Sequence, residues 1–208
     1  MKITVMGATG LIGAQVVELL TAAGHDVTAA ARSSGVDAVT GDGVAAALHG
    51  TDAVVDVLNS PTLEPTAAAE FFTTTATNLV AAAAEAGVSH YVLLSIVGVG
   101  SIEADGYLEG KHRQEQLVAR SGVPYTIVRA TQFHEFTEGI AESLVVDGEV
   151  RAPDALIQPV AATEVAAVVT REATAAPRNG VLDFGGPQKM SFADMAACGE
   201  DGGGHVGE

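Results

Sequence analysis

Apolar runs rich in β-branched residues alternate with alanine-rich stretches of helical period from the first residue to about residue 130. Such alternation predicts parallel βαβ units. Strands are expected at Lys2–Met6, Val27–Ala31, a short one near Ala38–Thr40, Ala53–Leu58, His90–Leu94 and Tyr125–Arg129. Helices are expected over Leu11–Ala23, Val44–Leu48, Glu70–Ala86, Tyr107–Arg120 and Glu135–Leu144. Gly24, Gly50, Gly87 and Gly122 each fall just past a helical pattern, where a left-handed closing residue is easiest for glycine. The unit of helix, Ala-Gly or Ser-Gly and strand recurs at Ala23-Gly24, Ala86-Gly87 and Ser121-Gly122. The predicted fold class is therefore α/β: a doubly wound parallel sheet with helices on both faces and right-handed crossovers.

One unit is abbreviated. Only about a dozen residues separate the short strand near Val39 from the strand at Ala53, which leaves little room for a full helix. After Arg129 the pattern loosens into Gln158-Pro159-Val160, a helix over Thr163–Ala173, a strand over Val181–Phe184 and a short helix that Ser191 caps. The expected organisation is one domain over 1–198, with a cofactor-binding core over 1–130 and a small substrate-side region over 131–198. The glycine-rich, polar stretch 199–208 is expected to be a flexible tail.

Between the first strand and the first helix lies Met6-Gly7-Ala8-Thr9-Gly10-Leu11-Ile12-Gly13, with glycines spaced G-x-x-G-x-x-G. Its position makes the pattern informative. Gly7 permits the tight turn, Gly10 lets the backbone approach a pyrophosphate, and Gly13 lets helix and strand pack closely. The free amides of the first helical turn then face the anion. The candidate dinucleotide-binding segment is thus Gly7, Ala8, Thr9, Gly10, Leu11, Ile12 and Gly13.

An NAD site commonly ends its second strand in a carboxylate that holds the adenine ribose hydroxyls. Here the strand runs out as Ala31-Arg32-Ser33-Ser34. A guanidinium and two hydroxyls suit a 2'-phosphate, so NADP(H) is expected ahead of NAD(H). Asp42 is a candidate for the adenine amino group, with a helix-capping role the alternative. Asn59 follows the fourth expected strand, where ribose and nicotinamide would pass, and a purely turn-shaping role is the alternative.

Tyr107 and Lys111 stand four apart in the helix after the fifth expected strand, so both project from one face. Ser95 follows that strand, twelve residues before Tyr107. Ligands of doubly wound sheets lie beyond the carboxyl ends of the strands, where these three groups meet. A phenol is a poor base at neutral pH, and a nearby ammonium together with a cationic nicotinamide favours its phenolate. Ser95 would hold a substrate oxygen while Tyr107 moves a proton to or from it as hydride transfers at the adjacent carbon.

Composition narrows the rest. A chain of 208 residues suits a single domain. Ten Lys plus Arg against 26 Asp plus Glu give a net charge of -16, which repels phosphate backbones and argues against nucleic acid as a partner. No apolar stretch approaches the roughly 20 residues of a membrane span. The start at Met1-Lys2-Ile3-Thr4-Val5 has no leader pattern, so no membrane partner and a cytoplasmic location are expected. Cys198 is the only cysteine and is read as a free thiol. His112 and His134 lack the spacing of metal ligands, so no metal is expected.

These residues together resemble the short-chain dehydrogenase/reductase superfamily, in its atypical, NmrA-like, NAD(P)H-binding branch. The resemblance covers residues 1 to about 195 and rests on Gly7 to Gly13, Ser95, Tyr107 with Lys111, Pro124-Tyr125-Thr126-Ile127-Val128-Arg129, and Gln158-Pro159-Val160 followed by Glu164-Val165-Ala166. It implies a Rossmann-type fold with the cofactor on Gly7, Gly10 and Gly13. It also implies Arg32 and its serines toward the 2'-phosphate, and Ser95, Tyr107 and Lys111 as the active-site triad. Members of the branch usually carry a longer C-terminal substrate region, so a small or open pocket is expected.

The leading expectation is an NADP(H)-dependent oxidoreductase acting on a carbonyl or alcohol of a small molecule. A cofactor-binding redox sensor and a cofactor-retaining isomerase or epimerase are the alternatives. Thr131, Gln132 and Phe133 are expected to face nicotinamide or substrate, with a core role for Phe133 equally open. The helix that begins near Glu70, Phe71 and Phe72 offers packing against the sheet, or a homodimer face.

Overall fold

The computed structural model describes residues 1–101, 106–136, 145–146, 149–150, 156–192 and 194. Six parallel strands form one sheet: β1 (Lys2–Met6), β2 (Asp26–Ala30), β3 (Ala53–Asp56), β4 (His90–Ile96), β5 (Tyr125–Ala130) and β9 (Gly180–Phe184), in the order β2-β1-β3-β4-β5-β9. β2 lies on one side of β1 and β3 on the other, so the winding reverses between β1 and β3. A crevice opens at such a reversal, past the carboxyl ends of the strands.

Period-two alternation sends each strand's side chains to opposite faces, and both faces are covered. On one face Ile3, Val5, Val55, Val92 and Val128 pack with Val16 and Leu20 of α1 (Leu11–Ala22) and with Val165 and Val169 of α5 (Ala162–Thr174). On the other, Met6, Val54, Leu93 and Ile127 pack with Leu48 of α2 (Val44–Leu48), Leu79 of α3 (Pro65–Glu85) and Val118 of α4 (Tyr107–Arg120). Each such buried side chain contributes roughly 1.5–3 kcal/mol. The result is a doubly wound, Rossmann-type α/β sheet.

Three details depart from the sequence-based expectation. The stretch near Ala38–Thr40 is a turn, and β2 is the sheet edge. Its backbone is engaged elsewhere: Asn78 Nδ2 donates to the carbonyls of Ala38 (2.9 Å) and Val39 (3.0 Å), while Asp37 Oδ1 accepts from the Val39 amide (2.8 Å). α3 begins five residues before the expected Glu70, because Pro65 fits the first turn and the Glu64 carboxylate accepts from the amides of Thr66 (3.2 Å) and Ala67 (2.7 Å). The expected helix over Glu135–Leu144 opens instead as a 3₁₀ turn, His134–Phe136, and the rest of it lies outside the described residues.

Ser191 Oγ accepts from the Asp194 amide at 3.0 Å, the bond expected of a cap. Cys198 and the stretch 199–208 lie outside the described residues. Short pairs β6 (Val145–Val146) with β7 (Glu149–Val150), and β8 (Leu156–Ile157) with β10 (Met190–Ser191), stand apart from the main sheet. Among the described residues no helix is long and apolar enough to cross a membrane.

Candidate cofactor and active site

The turn between β1 and α1 is shaped by missing side chains. Gly7 has φ +85°, and a Cβ there would stand 3.1 Å from the Val57 carbonyl oxygen. At Gly13 a Cβ would come within 2.1 Å of the Gly7 carbonyl oxygen, a contact no side chain tolerates. The Gly7 and Ala8 amides donate to the Ala30 carbonyl at 3.1 and 3.2 Å, tying the turn to β2. Gly10, the N-cap of α1, brings no side chain to the first helical amides, which stay free to bind an anion.

A cavity of about 470 Å³ runs over this turn along the carboxyl ends of the strands. Gly7, Thr9, Gly10, Leu11 and Ile12 line it, and Gly13 lies beneath them. Ala31, Arg32, Asp37, Ala38 and Val39 line one end; Thr131, Gln132, Phe133 and Phe136 line the other. Ser95, Tyr107 and Lys111 all line it between, together with Asn59.

The remaining expected cofactor residues lie off that lining. Ser34 Oγ is engaged in its own turn, donating to the Ala31 carbonyl (2.9 Å) and accepting from the Ala31 amide (3.0 Å). Ser33 is exposed next to it. The Asp42 carboxylate accepts from the Thr40 hydroxyl at 2.9 Å. Ala8 is buried behind the turn. Asp37, for which the sequence carries no signal, lines the cavity beside Arg32 instead.

Ser95 Oγ is buried and has no hydrogen-bond partner among the described residues. Buried hydroxyls are ordinarily paired, so an orphan on a residue that lines a cavity is a candidate partner for a ligand oxygen. Tyr107 is packed edge-on against Phe72 (centroids 5.0 Å), and its hydroxyl donates to Asn59 Oδ1 at 2.6 Å. Burial pushes its pKa up. Lys111 is 4% exposed, and its ammonium donates to the Leu94 carbonyl (2.7 Å) and Gln114 Oε1 (2.6 Å), 4.9 Å from the Phe72 ring centre. Burial pulls its pKa down to about 8, against the pull of Asp56 and Glu115. Lys111 was expected to lower the Tyr107 pKa, and the geometry differs. The ammonium is directed to Leu94 and Gln114, and the phenol is governed by desolvation.

Under the cavity lies a polar group no motif announced. Asp56 is 0% exposed, and its carboxylate accepts from the Leu58 amide (3.1 Å), the Tyr91 hydroxyl (2.8 Å) and Gln114 Nε2 (3.0 Å). Burial raises its pKa and the charge of Lys111 opposes the rise. The available signals were a lone carboxylate inside the apolar run of β3 and a glutamine one turn after Lys111.

The residues fit a nicotinamide dinucleotide. The side-chain-free cradle over Gly7 and Gly13 has room for a diphosphate, and the unpartnered Ser95 hydroxyl, on a residue of the same lining, could meet a ligand oxygen. A model of an NAD(P)H-binding family matches residues 7–176. The chain is similar to a (4-alkanoyl-5-oxo-2,5-dihydrofuran-3-yl)methyl phosphate reductase of Streptomyces griseus, with 35% identity over 94% of this chain and 71% of the relative. It is similar to an NAD(P)H azoreductase of Xenophilus azovorans, at 30% identity over 94% of this chain and 72% of that one. Among solved structures it matches a Thermus thermophilus UDP-glucose 4-epimerase in complex with NAD (TM-score 0.76, 17% identity, 100% of this chain and 85% of that one). A Staphylococcus aureus nucleoside-diphosphate-sugar epimerase matches at TM-score 0.75 and 18% identity, over 96% and 77% of the two chains. At these identities the two structures speak for the fold.

Proposed function

We propose that this chain, which belongs to the NAD(P)H-binding family in the NmrA-like branch of the short-chain dehydrogenases/reductases and is an oxidoreductase, is an NADPH-dependent reductase of a small-molecule carbonyl, with Tyr107 as its proton donor. The observation that carries this reading is Ser95, whose hydroxyl has no partner among the described residues and which lines the same cavity as Tyr107, Lys111 and the glycine turn.

The coenzyme, when bound, supplies hydride. The chain's own residues do the remainder. Amides at the start of α1 would hold the diphosphate, and Lys111, on the cavity lining, would meet the coenzyme there. Ser95 donates its free O–H to the substrate carbonyl oxygen, fixing and polarising it. Tyr107 gives that oxygen a proton. Burial raises its pKa further from neutrality, so the phenol is protonated at neutral pH, the state a proton donor requires. Asn59 accepts the Tyr107 O–H bond until the substrate oxygen replaces it.

Arg32 at the end of β2 supports NADPH over NADH, since it lines the adenine-side end and no carboxylate stands at its position. The apolar Phe133 and Phe136, stacked with centroids 5.6 Å apart, line the opposite end and suit a flat, unsaturated substrate. Small carbonyl compounds, unsaturated lactones and azo dyes are the panel that the relatives' names suggest. With a substrate from that panel, Tyr107→Phe is expected to lower kcat about 10²–10⁴-fold while NADPH affinity, read by fluorescence titration, stays within twofold. Unchanged turnover in that variant removes Tyr107 from the mechanism.

A further inference from the structure

The floor of the cavity carries a polar chain that the reaction scheme leaves unused. Gln114 is 0% exposed and bridges two charged groups: Nε2 donates to Asp56 Oδ2 at 3.0 Å, and Oε1 accepts from Lys111 Nζ at 2.6 Å. An ammonium only donates and a carboxylate only accepts, so the two neighbours leave the amide a single orientation. Asp56 in turn is fixed by the Tyr91 hydroxyl and the Leu58 amide.

We propose that Gln114, anchored by the buried Asp56 carboxylate, is the positioning residue that holds the Lys111 ammonium at the cavity floor. The proposal rests on the reading of Lys111 as a coenzyme-contacting residue. A lysine stem has four rotatable carbons and no fixed direction. Here two of the three ammonium protons are committed, one to the Leu94 carbonyl and one to Gln114. One proton is left for a ligand. Without Gln114 the ammonium would keep a single backbone acceptor in a dry site, and both its aim and its charge would suffer.

The charged and titratable groups around Lys111 come from every neighbouring element. Asp56 of β3 and Glu115 of its own helix favour the ammonium, and Glu115 is itself held by Arg129 of β5 at 2.9 and 2.6 Å. Tyr91 of β4 is bound to Asp56, Tyr107 lies one turn away on α4, and α3 contributes only the Phe72 ring. Asp56 reaches Lys111 through Gln114 alone among the hydrogen bonds of the described residues.

The test is a fluorescence titration with NADPH from pH 6.5 to 9.5, on wild type, Gln114→Met, Lys111→Met and the double variant, with thermal melts to confirm folding. Gln114→Met is expected to weaken NADPH about tenfold at pH 7, as for one lost hydrogen bond to a charged group. It should also lower the midpoint of the alkaline loss of affinity by about one pH unit. In the Lys111→Met background the same change should do nothing beyond twofold. An equal loss in both backgrounds assigns Gln114 to packing and overturns the proposal alone, as does unchanged affinity in Gln114→Met. Unchanged affinity in Lys111→Met overturns the reading beneath it as well. Should Gln114→Met fail to fold, Asp56→Asn keeps the shape and removes the counter-charge. Its alkaline midpoint should fall, and an unmoved midpoint overturns the proposal.

Discussion

The two sides of the cavity are built from opposite materials. Between β1 and α1 the site is backbone, defined by where side chains are missing: a Cβ at Gly13 would meet the Gly7 carbonyl oxygen at 2.1 Å, while Gly10 merely caps the helix. Around β4 and α4 the site is side chain: Lys111 and Gln114 form a buried hydrogen-bonded chain with Asp56 of β3, next to Tyr107 and to a Ser95 hydroxyl that is unpaired among the described residues. A backbone site recognises a charge class and has no protonation state to set. A buried side-chain site can move protons, but its charges are there at the cost of desolvation.

The largest expected effect falls on the backbone side. Gly13→Ala must displace the turn itself, since the three nearest atoms are all backbone within 2.9 Å. A loss of about 3 kcal/mol or more in urea unfolding is expected, at the upper end of overpacking, along with loss of NADPH binding. Gly10→Ala meets only the Gly7 carbonyl oxygen, at 3.4 Å. It should stay within about 1 kcal/mol of wild type yet lose coenzyme affinity, because the new methyl would stand where a diphosphate is proposed to approach. If both variants unfold alike, Gly10 is structural and the contrast within the turn disappears.

On the side-chain side the matching test is pH. The Lys111 pKa is about 8 in the fold against 10.5 for an ordinary lysine, so between those values the unfolded chain binds more protons and stability rises with pH. The burial penalty is present in full below pH 8 and is relieved toward 10.5. Lys111→Met removes that proton uptake. The stability of wild type relative to Lys111→Met should therefore climb by about 3 kcal/mol from pH 7.5 to 10.5, measured by urea melts. A flat difference would mean that the ammonium is not desolvated in solution.

The same contrast explains what the sequence disclosed. The glycine turn and the Ser95, Tyr107, Lys111 spacing are local patterns, and alternation along the chain was enough to place them at the carboxyl ends of a doubly wound sheet. What stayed hidden depends on partners distant in sequence. Ala38-Val39-Thr40 reads as a strand until Asn78, some 40 positions on, takes its carbonyls. Asp56 reads as one polar residue in an apolar run until Tyr91 and Gln114 arrive from two other elements. Asp37 reads as loop until the turn that replaces the expected strand brings it to the cavity lining. The onset of α3 was legible in principle, since Glu64-Pro65 is a local cap signal.

The smallest expected effect tests a side chain that belongs to neither material. Arg32 is exposed just past β2 and lines the cavity. Its contact with a 2'-phosphate would be charge-assisted but open to water, so screening limits its worth. Arg32→Ala should weaken NADPH about tenfold, or about 1.4 kcal/mol, and leave NADH within twofold. The difference should shrink as salt rises from 50 to 500 mM, as an exposed ion pair requires. The losses at Gly10 and Gln114 should survive that salt, because one is steric and the other is buried. Equal weakening of both coenzymes by Arg32→Ala would place the guanidinium on the shared diphosphate and leave the preference for NADPH without a residue to carry it.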